Sequence, residues 1–297
     1  MAEAAVDACE IARLPEEIVS ATLARAGPRE ACRAAAVSPA FRAAADSDAV
    51  WACFLPRDLP PIADGELPAA PPLSKKELFL RLSNSPVLLP NRLVSLWLDR
   101  ETGAKCYMLS ARQLYIVWSD TPRYWTWIPL TDSRFSEGAQ LLDVCWLEIR
   151  GKIQSKMLSE NSTYAAYLVY KIDTEFYGLD SPVQEASVSI GETKLTRRVC
   201  LQDYDDEDRE IPENYRPMRP FVRFMTRRRN RQVVTPGENA QLPHKRTDGW
   251  MELELGEFFN EGGEDGEVSV DLTETKGGNW KKGLIVQGVE IRVKKSG

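Results

Sequence analysis

Two blocks of this sequence combine residue types that could bind a sugar. The first, 118–127, holds three tryptophans where a strand reaches a proline-containing loop and returns. The second, 248–267, ends one strand and begins another across an acidic, glycine-rich loop. An indole ring covers the apolar C–H face of a pyranose, and carboxylates accept hydrogen bonds from its hydroxyls. Together the two blocks predict a shallow saccharide site that needs no metal, cofactor or histidine.

The indoles of the first block do not all have the same expected position. Trp125 and Trp127 are two residues apart, so strict alternation places both on one face of a strand. We expect Trp127 to lie inside and Trp125 to lie at the mouth of the site. A second interpretation puts all three indoles in the core, where aromatic side chains of β proteins usually lie.

The rest of the composition excludes several classes of enzyme. The chain has one histidine, His244, in a polar turn, which excludes Ser-His-Asp and Cys-His catalysis and the commonest zinc-hydrolase sites. No lysine follows the glycines at 262–266, as a phosphate-binding loop would require. Six cysteines are scattered singly without zinc spacing, which predicts reduced and mostly buried thiols. We therefore expect neither a metal nor a cofactor.

Length and charge set the broad class of protein. The 297 residues suggest about two domains, and 43% of them are hydrophobic. The 38 basic and 44 acidic side chains give a net charge of -6, which disfavours nucleic-acid binding. The first residues do not resemble a signal peptide, and no apolar run is long enough to span a membrane. These features predict a soluble protein of the cytoplasm and nucleus.

The N-terminal part has the pattern of a small helical unit. Apolar residues recur every three or four positions in the first sixty residues, which predicts four short helices. Gly27 and Pro28 separate the first two, and Ser38 before Pro39 caps the third. Six prolines at 56–72 then predict a semi-stiff spacer, followed by a short helix that begins with a capping box at 74–77.

The remainder is rich in β-strand patterns. Alternating or short apolar runs, separated by turn residues, occur at 94–98, 105–109, 114–118, 146–149, 165–172, 185–190, 250–255, 267–272 and 283–291. Because no long helix intervenes, these runs predict antiparallel sheets packed as a β-sandwich. The expected fold class is α+β and multidomain.

The helical unit resembles an F-box over about 11–58. The resemblance rests on residues 14–18, 31–42 and 50–51, although Phe41 and Arg42 stand where many F-boxes have Trp-Arg. It implies docking on the Skp-type adaptor of an SCF ubiquitin ligase and, through it, contact with a cullin. The residues that it implies form or support the docking face are Leu14, Pro15, Ile18, Val37 and Trp51. The alternative is an ordinary helical cap whose apolar stripe is only its own core.

The β-rich part resembles the phloem protein 2 family and the Nictaba-like plant lectins over roughly 113–293. The blocks that carry this resemblance are 118–127, 165–171, 246–250, 256–259, 263–268 and 283–292. It implies a jelly-roll-like lectin domain that binds N-acetylglucosamine oligomers and N-glycan cores. Matching motif to motif, it implies that the sugar is bound by Trp118, Trp125, Glu257 and Glu264.

The two resemblances together match the F-box subgroup of phloem protein 2-like proteins. They imply a flexible N-terminus at 1–10, an F-box at 11–58, a proline-rich linker and short helix at 59–92, and a lectin β-sandwich at 93–297. The implied protein is a non-catalytic substrate-recognition subunit of an SCF-type ubiquitin ligase that binds glycans or glycoproteins.

Two other functions remain open. The β-sandwich could bind protein partners without sugar affinity. Alternatively, Glu257 and Glu264 could be the acid and nucleophile of a glycosidase, which needs two carboxylates about 5 to 9 Å apart. The acidic tract at 203–208 and the basic tract at 216–231 are interpreted as a solvated variable insertion, or as a nuclear-targeting or anionic-partner patch.

Overall fold

The computed structural model describes residues 14–202, 240–262, 266–276 and 278–294. The predicted charge tracts at 203–208 and 216–231, the flexible N-terminus at 1–10 and Glu264 lie outside these ranges. The helices are α1 (Glu16–Ala26), α2 (Pro28–Ala34), α3 (Pro39–Asp46), α4 (Asp48–Phe54) and α5 (Lys75–Asn84). The strands are β1 (Val87–Leu88), β2 (Val94–Leu98), β3 (Lys105–Ser110), β4 (Tyr115–Ile116), β5 (Trp125–Pro129), β6 (Glu137–Leu141), β7 (Leu147–Gln154), β8 (Ser162–Tyr177), β9 (Gln184–Ile190), β10 (Thr193–Val199), β11 (His244–Lys245), β12 (Met251–Asn260), β13 (Glu267–Glu274) and β14 (Lys282–Val293).

Local capping explains where the helices begin and end. We call residues 14–54, which contain α1 to α4, the head. Gly27, at φ 96°, separates α1 from α2 in a backbone conformation that favours glycine. The hydroxyls of Ser38 and Ser47 accept hydrogen bonds from backbone N–H groups in the first turns of α3 and α4. The predicted capping box between Ser74 and Glu77 is present at the start of α5.

Two antiparallel sheets form the body of the molecule. The larger has the strand order β1-β2-β3-β14-β8-β12-β11, with β6 beside β14 and β5 beside β6. The smaller has the order β10-β9-β13-β7-β4. A Cβ atom added to Gly256 of β12 would lie 2.7 Å from the side chain of Val188 in β9, so the sheets meet face to face at close range. This arrangement agrees with the predicted β-sandwich.

Strand β8 sets the length of the body and pairs with both β12 and β14. Its first residue, Ser162, lies beside the last residue of β12, Asn260. Its last residue, Tyr177, lies beside the first residue of β14, Lys282. We call the end of the sandwich at Ser162 the proximal end and the end at Tyr177 the distal end.

The head joins the body at the proximal end. Trp51 and Phe54 of α4 contact the ring of Phe79 in α5, with ring centroids 5.2 and 6.3 Å apart. Gly103, in the turn between β2 and β3, lies so close to α4 that an added Cβ would be 2.4 Å from the Phe54 carbonyl oxygen. Lys105, at the start of β3, forms an ion pair with Asp58. The head and the sandwich therefore share one contiguous hydrophobic core.

The proline-rich segment packs along the body, unlike the semi-stiff spacer that the sequence predicts. The Ala63 N–H donates to the carbonyl of Leu88 in β1 over 2.9 Å, and Ala63 is buried. Glu66 forms an ion pair with Arg134, 3.3 Å away, in the loop between β5 and β6. Packing against the sheet fixes a segment that its composition alone would leave extended.

The cysteines differ in part from the prediction. All five described cysteines are free thiols, as expected for a reduced protein. Cys106 and Cys200 are buried, but Cys32 and Cys53 are exposed on the head. Burial raises the pKa of the Cys106 thiol to about 12, which keeps this thiol protonated and unreactive.

A buried ion pair links the two sheets at the distal end. Glu274 is the last residue of β13, and Lys281 directly precedes β14. Their side chains form an ion pair and are almost completely shielded from solvent. The Lys281 ammonium also donates to the carbonyl oxygen of Asn279, 2.7 Å away. Because neither charge can reach water, each depends on the other.

We therefore expect Lys281→Met to destabilise the protein by about 3–5 kcal/mol, because the Glu274 carboxylate would be left buried and unpaired. The free energy of unfolding from urea titration measures this loss. The matched control is Lys282→Met, one residue along, whose partner Glu175 is exposed and whose loss should cost less than about 1 kcal/mol. Equal and small effects of both substitutions would show that the buried pair does not stabilise the fold.

Candidate functional site

The head presents several large apolar side chains to solvent. Leu14 is 47% exposed, Ile18 is 52% exposed and Val37 is 70% exposed. Pro15, at the N-cap of α1, is also exposed. Helix α1 buries Val19 on its inner face, so Ile18 has no place in the core. Four of the five residues predicted for adaptor binding thus lie at the surface.

The fifth, Trp51, lies in the core, so of the two predicted roles, forming or supporting the docking face, only support is open to it. It is 0% exposed, and its indole N–H donates to the carbonyl of Ala45 over 2.6 Å. Its ring meets Phe54 edge to face, with centroids 5.4 Å apart. Trp51 can therefore support the head but cannot contact a partner.

Exposed aromatic side chains gather at the distal end of the sandwich. Trp118 is 38% exposed and lies beside Tyr124 and Trp146, with ring centroids 5.2 and 6.5 Å away. Tyr115 of β4 and Trp280, just before β14, are also exposed. We call this set of five side chains the aromatic end. Large exposed apolar groups of this kind mark interaction surfaces more often than chance.

The fold explains why these residues meet. Trp118 follows β4 and Trp146 precedes β7, and these two strands pair, because Ile116 lies beside Ile149. Val144 bridges to Lys281, which brings the residues before β14 to the same place. Trp118 has φ 58°, a conformation rarely adopted by a bulky residue. Such backbone strain occurs preferentially at functional sites.

The predicted positions of Trp125 and Trp127 are reversed. Trp125 is 1% exposed and pairs with Leu141 of β6, within the sandwich. Trp127 lies partly exposed, with the guanidinium of Arg112 3.6 Å from its ring centroid. The Trp127 indole N–H donates to the Ser119 carbonyl over 3.2 Å. Trp125 is buried within the core, whereas Trp127 packs against the core and remains partly exposed, so Trp125 cannot contact a sugar.

Glu257 lies on the outer face of the larger sheet. It pairs in register with Ala165 of β8, and its half-exposed carboxylate forms an ion pair with Lys294. The Lys294 ammonium also lies 3.4 Å from Glu254. The hydrogen bond that the Lys294 ammonium donates to Glu257 raises the pKa of Lys294 above its ordinary value. The Glu257 carboxylate is thus already neutralised.

Of the residues predicted to bind one sugar, the structure separates Trp118 from Glu257. Glu257 lies at the level of Ala165, near the beginning of β8, whereas Trp118 lies with the aromatic end near Tyr177. Along β14, which pairs with β8 over this stretch, the two levels are ten residues apart, from Lys282 to Arg292, or roughly 30 Å at about 3.3 Å per residue. Glu264 lies outside the described residues. The strand register therefore places Trp118 and Glu257 at opposite ends of the sandwich.

A dense network of charges surrounds the level of Glu257. Glu252 accepts from Arg292 over 2.8 Å and lies 3.1 Å from Arg246, while both arginines also bind Glu290. Burial raises the pKa of Glu252, but the hydrogen bond and charge of Arg292 outweigh it and lower the pKa below its ordinary value of 4.5. This face of the sheet is a self-neutralised surface with few free carboxylates.

The other residues of the aromatic end are only weakly indicated by the sequence. Trp146 begins a run interpreted only as a strand, and Trp280 stands alone beside glycines. A tryptophan directly before a strand, as at Trp146, is the pattern that could have indicated an exposed indole at the end of a sheet.

Among the described residues, no group of three His, Cys, Asp or Glu side chains could hold a metal ion. No described helix is long and apolar enough to cross a membrane.

Comparisons with known proteins agree with both parts of the chain. The phloem protein 2 family matches residues 104–293. The chain is similar to F-box protein PP2-B1 of Arabidopsis thaliana, at 39% identity over 304 residues that cover 95% of this chain and 90% of that protein. F-box protein PP2-B10 of the same plant is 40% identical over 281 residues, 94% of this chain and 92% of that protein. F-box protein VBF, also from Arabidopsis thaliana, is 36% identical over 286 residues, 95% of this chain and 99% of that protein. None of these names indicates an enzyme family.

The network around Glu252 gives the protein an acid-sensitive stability. A carboxyl whose pKa is lowered on folding stabilises the folded state above its ordinary pKa, and that stability is lost as the pH falls. We expect the free energy of unfolding to decrease below about pH 4.5, the ordinary value for Glu252. Glu252→Gln should be less stable at neutral pH and should show a shallower acid decrease.

Urea unfolding at a series of pH values measures both effects. Glu185→Gln, which alters an exposed carboxyl on β9, is the control and should follow the unmodified chain. An acid decrease of the same slope in Glu252→Gln as in the unmodified chain would contradict the assignment.

Proposed function

The chain belongs to the phloem protein 2-like family of F-box proteins, and on that premise we propose that it is the substrate-recognition subunit of an SCF-type ubiquitin ligase. In this role the head binds a Skp-type adaptor and, through it, a cullin. The sandwich holds the target near a ubiquitin-conjugating enzyme located elsewhere in the complex. The chain itself catalyses no reaction, and it works in the cytoplasm and nucleus.

The observation that carries the adaptor proposal is the exposure of Leu14, Ile18 and Val37 on a folded head. Burying a leucine or isoleucine side chain contributes about 1.5–3 kcal/mol, so three such side chains supply a substantial part of a protein–protein interface. Ile18 lies on α1, Leu14 just before it and Val37 in the turn between α2 and α3. The buried Trp51 belongs to the core against which these elements pack. The exposed residues are therefore held in place before a partner arrives, which lowers the entropy lost on binding.

For the target, we propose that the aromatic end binds a glycan. The indoles of Trp118 and Trp146 meet at 65° beside Tyr124, and so offer ring faces in two directions to the apolar face of a sugar. The exposed Asp120, two residues from Trp118, supplies a carboxylate for sugar hydroxyls. The family resemblance suggests N-acetylglucosamine oligomers or N-glycan cores as ligands. Of the four residues first predicted, this proposal retains Trp118.

Two alternatives make different demands on the same residues. A sandwich that binds only protein partners would use the aromatic end as an ordinary apolar contact. A glycosidase would need a free pair of carboxylates, and the ion pair between Glu257 and Lys294 disfavours Glu257 for that role. Hydrolysis of a chitooligosaccharide by the purified chain would revive the glycosidase alternative.

We expect Ile18→Asp and Val37→Asp each to weaken binding of a Skp-type adaptor by about ten-fold or more, because a carboxylate would be buried in an apolar interface. Titration calorimetry with a purified adaptor measures the affinity. Leu195→Asp, at a 52% exposed leucine of β10, is the matched control and should bind normally. If all three variants bind like the unmodified chain, the head does not dock in this way.

We expect Trp118→Ala to weaken binding of an N-acetylglucosamine trimer by about ten-fold or more, because an aromatic ring face would be lost. Glu257→Gln, at the proximal end, should leave the affinity unchanged. Calorimetry on both variants, with thermal unfolding as a check of folding, makes the comparison. The opposite pattern would move the sugar site to the proximal end, and binding of no glycan by the unmodified chain would favour the protein-binding alternative.

A further inference from the structure

A groove of about 560 Å³ crosses the outer face of the larger sheet, away from the aromatic end. Three neighbouring strands contribute to its floor, since Met108 of β3 pairs in register with Ser95 of β2 and Glu290 of β14. The walls come from the end of α5, the loop at 131–135 and the turn before β12. Its volume lies in the range of sites that bind small molecules or short segments.

The charged groups along this groove are already paired. Arg246 binds Glu290 at 3.0 Å and Asp248 at 3.2 Å. Asp132 forms an ion pair with Lys171, and Arg134 forms one with Glu66. The groove therefore has little net charge with which to attract an anion or a cation.

Two buried polar side chains face the groove with unused hydrogen-bonding capacity. Ser95 is 3% exposed and lines the groove, and its hydroxyl has no hydrogen-bond partner within the described part of the chain. Gln287 donates from its amide to Ser133 over 2.8 Å, while its amide oxygen has no partner among the described residues. Both groups are neutral, and together they can donate to and accept from an amide.

The floor also contains apolar surface of a kind that adapts to different side chains. Met108 is 9% exposed, and Trp97, on the same strand face as Ser95, is only partly buried. A thioether beside an indole packs well against a bulky aliphatic or aromatic group. The groove thus combines an apolar seat with neutral hydrogen-bonding groups.

We propose that this groove binds an extended, uncharged peptide segment of the target that carries one large apolar side chain. This inference rests on the proposed role as a substrate receptor. A peptide fits better than a sugar because the carboxylates that would accept sugar hydroxyls, Asp132, Asp248 and Glu290, are held by cations. The free hydroxyl of Ser95 and amide oxygen of Gln287 match a peptide group, and Trp97 with Met108 receives the side chain.

The test selects a displayed library of random peptides on the full chain and measures a selected, synthesised peptide by calorimetry. We expect enrichment of uncharged sequences with one aromatic or long aliphatic residue. Trp97→Ala should weaken the peptide by about ten-fold or more, because the apolar seat is lost. Thr131→Trp, at an exposed position on the wall, should block the groove without altering the core. Trp118→Ala, at the aromatic end, is the control and should bind the peptide normally.

Several results would overturn the proposal. They are a lack of enrichment, equal binding of the selected peptide by Thr131→Trp, and displacement of the peptide by an N-acetylglucosamine trimer in the Trp118→Ala background, which would make the groove a sugar site. Adaptor affinity is measured in parallel. The adaptor affinity should fall in Ile18→Asp and should not change in Trp97→Ala, Thr131→Trp or Trp118→Ala. A failed groove and a failed receptor role therefore give different patterns.

Discussion

The pairing of β8 with β12 on one side and β14 on the other determines where every candidate site lies. The register from Ser162 to Tyr177 fixes the level of Glu257, of the groove and of the aromatic end. Side chains that are distant in sequence can meet only if they lie at the same level of this strand. Its residues from Ser162 to Ile172 pair with β12, β14 or both, so slipping the register by one residue would move these side chains to the wrong face.

The second constraint is the apolar junction between the head and the body. Trp51, Phe54 and Phe79 pack their rings together, and Gly103 allows the turn before β3 to approach α4. A head with so many alanines cannot build a sufficient core of its own. The head completes its hydrophobic core with side chains of α5 and the sandwich, so the head and the sandwich form one packed unit. The orientation of the exposed apolar residues of the head is thereby fixed relative to the aromatic end and the groove.

Local patterns in the sequence were enough to predict much of the fold. Helix caps at Ser38 and Ser74 and alternating runs such as 267–272 depend on neighbouring residues, and they match the structure. Strand β10 escaped prediction because its threonine and basic residues give it no clear apolar alternation. The separation of Trp118 from Glu257 could not be predicted, for a different reason. Motif order along the chain does not specify strand register, and only the register shows that Trp118 and Glu257 lie at opposite ends.

In the proposed receptor role, the fixed attachment of the head at the proximal end would let the sandwich set the distance between a bound target and the ligase. A target held at the aromatic end would lie at the far end of the sandwich from the head, whereas a segment in the groove would lie nearer to the head. The two surfaces would thus place different lysines of a target within reach of the same activated ubiquitin. Which lysine is modified would then depend on whether the aromatic end or the groove holds the target, and the ligase itself would not change.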